Sequence, residues 1–153
     1  MVWKPHVTVA AVIENKNKFL LVEEQINNGI AFNQPAGHLE EGENMITAVK
    51  REVNEETAWK FEAESIIAIQ LWRKTPDSPS FLRVCFSGFV HSFNADQALD
   101  DDIITTHWLT REQVANKNEQ LRSPLVLKSI DQYLTGLRHP LSLLKSYIDY
   151  TDE

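Results

Sequence analysis

One cysteine, Cys85, stands in a chain of 153 residues, which closes off an internal disulfide and any metal cluster built on cysteine. It lies in the apolar run Phe81 to Phe89, where a thiol packs as a small hydrophobe, so it is assigned no chemical role. Long hydrophobic runs are also missing. None approaches the roughly 18 consecutive apolar residues of a membrane span, and the opening Met1-Val2-Trp3-Lys4-Pro5-His6 lacks the regions of a signal peptide. The expectation is a cytoplasmic protein without a membrane partner. Runs of Lys and Arg are absent as well: 15 basic against 22 acidic residues leave a formal charge of −7, which argues against nucleic acid as a partner. A protein this acidic needs a cation to mediate contact with an anion. No repeat, low-complexity stretch or linker divides the chain, and its length fits one domain over residues 1–153. The tail Tyr147 to Glu153 carries no readable signal.

What is present is a mixture of strand and helix patterns. Val7 to Ile13 and Lys18 to Val22 are apolar runs split by the polar turn Glu14-Asn15-Lys16-Asn17, which predicts a hairpin. Asn27 to Gly42 turns to Asn, Gly, Pro and polar residues and is expected to be a long exposed loop. Ile46, Val49 and Val53 then recur at helical spacing, predicting an amphipathic helix from Asn44 to about Thr57. Ile66 to Trp72, Phe81 to Val90 and Ile104 to Leu109 read as strands. Thr110 with Gln113 fits a capping box, and Ser123-Pro124 supplies an N-cap and first-turn proline for a helix ending near Gly136.

The predicted helix carries the chemistry. At about 100° per residue, Glu52, Glu55 and Glu56 fall within one arc flanking the apolar stripe. Like charges at these spacings repel, more so when partly buried, and a divalent cation relieves them. Carboxylate oxygens are hard ligands suited to Mg²⁺, with Mn²⁺ able to substitute, whereas His6, His38, His91, His107 and His139 form no set at zinc spacing. Taken alone, Arg51-Glu52 and Glu55-Glu56 read better as the solvated face of an ordinary helix.

The fuller spacing reverses that reading. Gly37, five residues, Glu43, seven residues, then Arg51-Glu52-Val53-Asn54-Glu55-Glu56 matches the Nudix box, here residues 37–59, and the chain resembles the Nudix hydrolase superfamily. The resemblance implies an α/β (α+β) fold, the Nudix α/β/α sandwich, with a mixed β-sheet between helices. It also implies Mg²⁺-dependent hydrolysis of phosphoanhydride bonds. By resemblance Glu52, Glu55 and Glu56 hold the metal with the Gly37 carbonyl, Glu55 or Glu56 positions water, and Arg51 and Glu43 support the carboxylates. The box departs from the pattern at its end, where Ala58 replaces the usual glycine and Trp59 the aliphatic. If that position needs positive φ, alanine costs about 1 kcal/mol relative to glycine.

Lys4 to Ala10, Asn33 to Glu40, Phe81-Leu82-Arg83, Leu121 to Val126 and Arg138 to Leu141 look like NudJ-type phosphatases among bacterial Nudix proteins. Members of that group release orthophosphate from nucleoside tri- and diphosphates, thiamine pyrophosphate and hydroxymethylpyrimidine pyrophosphate. Rival readings are another Nudix specificity (ADP-ribose, sugar nucleotides or dinucleoside polyphosphates) and a non-catalytic binding module. For a proton acceptor outside the box, Asp101 stands for the acidic cluster Asp100-Asp101-Asp102, against an ordinary solvated turn. Arg83, alternating with apolar neighbours, is either a phosphate contact or an edge-strand charge facing water. Gln34 and His38 are candidate substrate contacts beside the metal loop. Arg122 is a phosphate contact or, by preference, a structural tie. Phe32, Trp3 and Trp72 are candidates for ring stacking, with the core as default. Either a monomer or a homodimer is compatible with the sequence.

Overall fold

A computed structural model describes residues 1–148, so the end of the sequence tail, residues 149–153, lies outside the described residues. The expected hairpin forms from β1 (His6–Asn15) and β2 (Lys18–Ile26). Lys16 and Asn17 connect them with φ of 52° and 64°, the paired positive values of a type I′ turn that matches strand twist.

The expected long loop from Asn27 to Gly42 is corrected. It contains two strands, β3 (Gly29–Asn33) and β4 (Ala36–His38). β3 folds back on β2 in a second hairpin and buries Ala31 and Phe32, while β4 pairs with β1 through Thr8↔His38, Val9↔Gly37 and Ala10↔Ala36. Both are short and set among Asn, Gly and Pro residues, so periodicity does not reveal them; pairing with an existing sheet makes them strands.

β5 (Lys60–Arg73) begins six residues before the expected start, since Glu62 and Glu64 mask its first half. β6 (Ser80–His91) and β7 (Ile103–Thr110) lie close to expectation. The strand order is β3-β2-β1-β6-β5, with β4 also on β1 and β7 also on β2. Among the described residues only the β1·β6 ladder is parallel, so the sheet is mixed. β1 changes partner along its length: Thr8 to Ala10 pair with β4, and Glu14 and Asn15 pair with β2.

Helices cover both faces, as the resemblance implies. α1 (Met45–Thr57) buries Ala48, Val49 and Val53 against Val9, Ala11, Val84 and Phe86 on one face. On the other, α3 (Leu125–Leu134) buries Val126 and Ile130 with Ala10, Val12, Ile67 and Cys85. The Cys85 thiol is fully buried, in keeping with a packing role. The capping box forms at Thr110–Gln113 and starts α2 (Arg111–Asn116). The start of α3 falls one residue later than expected: Pro124, at φ −59°, takes the N-cap position, Ser123 Oγ accepts from the Leu125 N–H at 3.1 Å, and Gly136 at φ 83° follows the helix end. Among the described residues no helix is long and apolar enough to cross a membrane.

Candidate active site

Asn44 caps α1, its Oδ1 accepting from the Thr47 N–H at 2.9 Å, and the apolar stripe then fixes the helix's rotation on the sheet. This rotation half-sinks the acidic flank: Glu52 and Glu56 are buried, while Glu55 is more open. Arg51 binds the group together. Its Nη1 donates to Glu52 at 2.8 Å and Glu55 at 3.2 Å, its Nε and Nη2 donate to Glu43 at 3.0 and 2.6 Å, and Nη2 also reaches the His38 carbonyl at 3.1 Å. The Arg51 hydrogen bonds hold the Glu43 carboxyl below the usual range and lock the guanidinium in its charged form.

Burial has the opposite effect on the inner carboxyls. It raises Glu52 despite Arg51, and it pushes Glu56 up to about 9, with Glu52, Glu24 and Asp100 adding repulsion against the single N–H donated by Ala36. Gly37 lies directly against the Glu52 carboxylate, where a Cβ would collide with it. That contact explains the glycine by close approach rather than by turn geometry, since Gly37 is not among the residues of positive φ.

Asp100, not Asp101, is the member of the acidic turn that reaches this group. Carboxylate oxygens of Glu52, Glu55 and Asp100 lie within 4.8 Å of one another, whereas Asp101 is exposed and outside the cluster. Three hydrogen bonds pin the turn to the end of α1: Asn94 N–H to the Ala58 carbonyl at 3.0 Å, Gln97 Nε2 to the Asn54 carbonyl at 2.8 Å, and Asp100 N–H to the Glu55 carbonyl at 3.0 Å. Ala58 is left-handed, at φ 63° and ψ 9°, so the position does require positive φ and the alanine is strained there. Trp59 is partly buried against the α1 core and stacks near Phe93 at 4.9 Å between centroids.

Beside the carboxylates opens a cleft of about 610 Å³, lined in part by Gly37, His38, Glu24, Arg83, Arg122 and Trp72. β6 lies between β1 and β5, so Arg83 is not on an edge strand and does not face water; it is buried. Its Nη2 donates to Gln34 Oε1 at 2.7 Å, and among the described residues no carboxylate pairs with it. Burial therefore works against its charge. Gln34 is itself buried, its Nε2 donating to the Val126 carbonyl at 2.7 Å, so it ties Arg83 to the start of α3. His38 is exposed at the cleft, with its ring nitrogen 3.0 Å from His6. Arg122 is half-exposed and only 3.8 Å from Glu24, a loose pair at the cleft wall. Glu24 escaped sequence reading because its role depends on the fold bringing β2 beside the cleft; burial raises its carboxyl.

The aromatic candidates separate. Phe32 belongs to the core beneath Lys117, Trp3 is largely exposed, and Trp72 lines the cleft beside Phe81. A cluster of hard oxygens in which burial raises Glu52 and Glu56 fits a divalent cation, and a buried guanidinium without a carboxylate partner among the described residues fits an anion in the adjoining cleft.

Comparison with known proteins meets this geometry. Residues 4–128 match the family described as NUDIX domain. The chain is 41% identical over 145 residues to phosphatase NudJ of Shigella boydii, covering 95% of this chain and 94% of that protein. It is 40% identical over 145 residues to phosphatase NudJ of Escherichia coli K12, with the same coverage. A solved NUDIX hydrolase from Nitrosomonas europaea superposes with a TM-score of 0.92 at 44% identity, covering 95% of this chain and 99% of that one.

Proposed function

The chain belongs to the Nudix family and is a phosphohydrolase, and on that premise we propose that it is a Mg²⁺-dependent phosphatase releasing orthophosphate from small phosphoanhydrides. Its substrates are nucleoside tri- and diphosphates together with thiamine pyrophosphate and hydroxymethylpyrimidine pyrophosphate, handled by one Nudix domain. The observation that carries the reading is the buried guanidinium of Arg83, without a carboxylate partner among the described residues, in a cleft that also reaches the Gly37 loop against Glu52.

Glu52, Glu55 and Asp100, with the buried Glu56 and the Gly37 carbonyl, would hold the cation. When bound, Mg²⁺ supplies a charge sink for the phosphoryl oxygens and lowers the pKa of water. The protein's own groups do the rest. Arg51 and Glu43 fix the carboxylates' orientation through the hydrogen bonds described above. Arg83, held by Gln34, neutralises a phosphate oxygen without having to be drawn away from a carboxylate. A carboxylate of the Glu55, Glu56 and Asp100 to Asp102 set accepts the proton of the attacking water.

Product analysis with Mg²⁺ and with EDTA tests this. A nucleoside triphosphate, a nucleoside diphosphate, hydroxymethylpyrimidine pyrophosphate and ADP-ribose are offered side by side. Stepwise orthophosphate release from the first three, abolished by EDTA, is expected; turnover of ADP-ribose alone would replace the substrate assignment with that of a pyrophosphohydrolase acting at an internal anhydride.

A further inference from the structure

The strand register orders the floor of the cleft. On one face of the sheet His38, Thr8, Arg83 and Gln70 form a row across β4, β1, β6 and β5, because each is the partner of the next. In the neighbouring row on that face stand His6, Phe81 and Trp72. The acidic cluster is carried by α1 on the opposite face and meets this row only at β4, where Glu52 lies against Gly37 and Glu56 accepts from the Ala36 N–H. Trp72 sits at the β5 end, three strand spacings away, or about 14 Å at the usual separation of strands. Arg83 lies between them. Trp72 is half-buried, its ring 6.3 Å from Phe81 with a 32° tilt, and Phe81 continues to His6 at 5.1 Å, so the wall is aromatic along its length.

An aromatic wall in an open cleft can be simple packing, as Phe32 is in the core. Two observations separate this one from packing. Trp72 and Phe81 line the cleft, whereas Phe32 lies under 5% exposed inside an apolar cluster. The charge beside them is also unmatched: Arg83 is buried without a carboxylate partner among the described residues, so the guanidinium and the rings present one anion-binding and one planar subsite side by side.

We infer that the Trp72–Phe81 wall is the binding subsite for the aromatic ring of the substrate, with the phosphate chain running past Arg83 to the acidic cluster. This deepens, and rests on, the phosphohydrolase reading of the cleft. In this order Arg83 holds a phosphate nearer the ring, and the terminal phosphorus is the one presented to the carboxylates. The length suits a nucleoside bearing an extended phosphate chain. Stacking on a π face is tolerant of base identity, so the subsite selects for a ring rather than for one base.

The test compares ATP with inorganic tripolyphosphate, which has the anhydrides and no ring, in wild type, Trp72→Ala and Trp72→Phe. The expected result is a KM for ATP raised tenfold or more in Trp72→Ala with kcat within threefold. Trp72→Phe should recover most of that loss, and tripolyphosphate kinetics should stay unchanged in both variants. An unchanged KM for ATP, or equal losses on both substrates, would overturn the ring subsite. Calorimetric binding of ADP is measured alongside with EDTA present, so that the affinity is read without turnover. Tenfold weaker ADP binding by Trp72→Ala with no hydrolysis by any form would keep the subsite and sink the phosphohydrolase reading, whereas equal ADP affinity in wild type and Trp72→Ala removes the subsite whatever the activity.

Discussion

The Asp100 backbone N–H donates to the Glu55 carbonyl at 3.0 Å, so a turn distant in sequence is registered on the last turn of α1 and its carboxylate arrives beside that of Glu55. One backbone bond thus distinguishes Asp100 from its two acidic neighbours. Asp100→Asn is expected to lower Mg²⁺-dependent kcat by about 10- to 100-fold, the scale on which groups around a metal act, and Asp101→Asn to stay within threefold. Steady-state phosphate release from both variants measures this; equal effects would return the choice to the whole acidic turn.

Glu55→Gln should lower kcat by orders of magnitude while leaving the protein folded, because Glu55 is more open than Glu52 and Glu56 and its removal relieves repulsion. Circular-dichroism melting run beside the assay separates the two effects. Near-normal turnover would take Glu55 out of the mechanism.

Gln34→Leu leaves the Val126 carbonyl and the Arg83 guanidinium each without its amide partner. The expected destabilisation is about 1–3 kcal/mol, the usual cost of stranding buried polar groups, together with a raised KM as Arg83 loses its anchor. Chemical denaturation and substrate titration read the two quantities. Unchanged stability would show that water or a shifted side chain replaces both bonds.

Ala58→Gly should stabilise the protein by about 0.5–1 kcal/mol, because glycine relieves the left-handed φ of 63° while giving up only a buried methyl. The denaturation midpoint measures it. A loss of stability would mean that the methyl's packing outweighs the strain.

Asp131 accepts from Arg111 at 2.9 and 3.0 Å, and those hydrogen bonds hold its carboxyl below the ordinary value. A depressed folded pKa gives stability that is complete above the unfolded pKa and is lost as pH falls through the folded one. The melting-temperature gap between wild type and Asp131→Asn should therefore be flat above about pH 5 and should close below about pH 4, the range of an unperturbed Asp. A gap that widened on acidification would contradict this sign.

Much of this architecture was legible in sequence wherever a local rule decides it. The Lys16-Asn17 turn, the α1 stripe of Val49 and Val53, and the Thr110–Gln113 box each depend on residues a few positions apart. β3 and β4 were not legible, because Gly29 to Asn33 and Ala36 to His38 are strands only by virtue of the partners waiting for them. The site divides in the same way. The clustering of Glu52, Glu55 and Glu56 follows from helical period, but which of them is buried follows from how α1 lies on the sheet. The burial of Arg83 depends on β6 being an inner strand, and the selection of Asp100 depends on hydrogen bonds to α1, neither of which leaves a trace in the residues nearby.

β1 pairs with β4 near its start and with β2 at its end, so the sheet forks at one strand. Each prong is set by backbone pairing to that one strand, so its placement does not rest on the side chains that line the cleft. Such a frame works like a vice with interchangeable jaws: residues at the wall, Trp72, Phe81 or Arg122, can be exchanged to grip a different cargo while the cutting edge on α1 keeps its alignment. Retooling the grip and preserving the blade are separable tasks in this molecule.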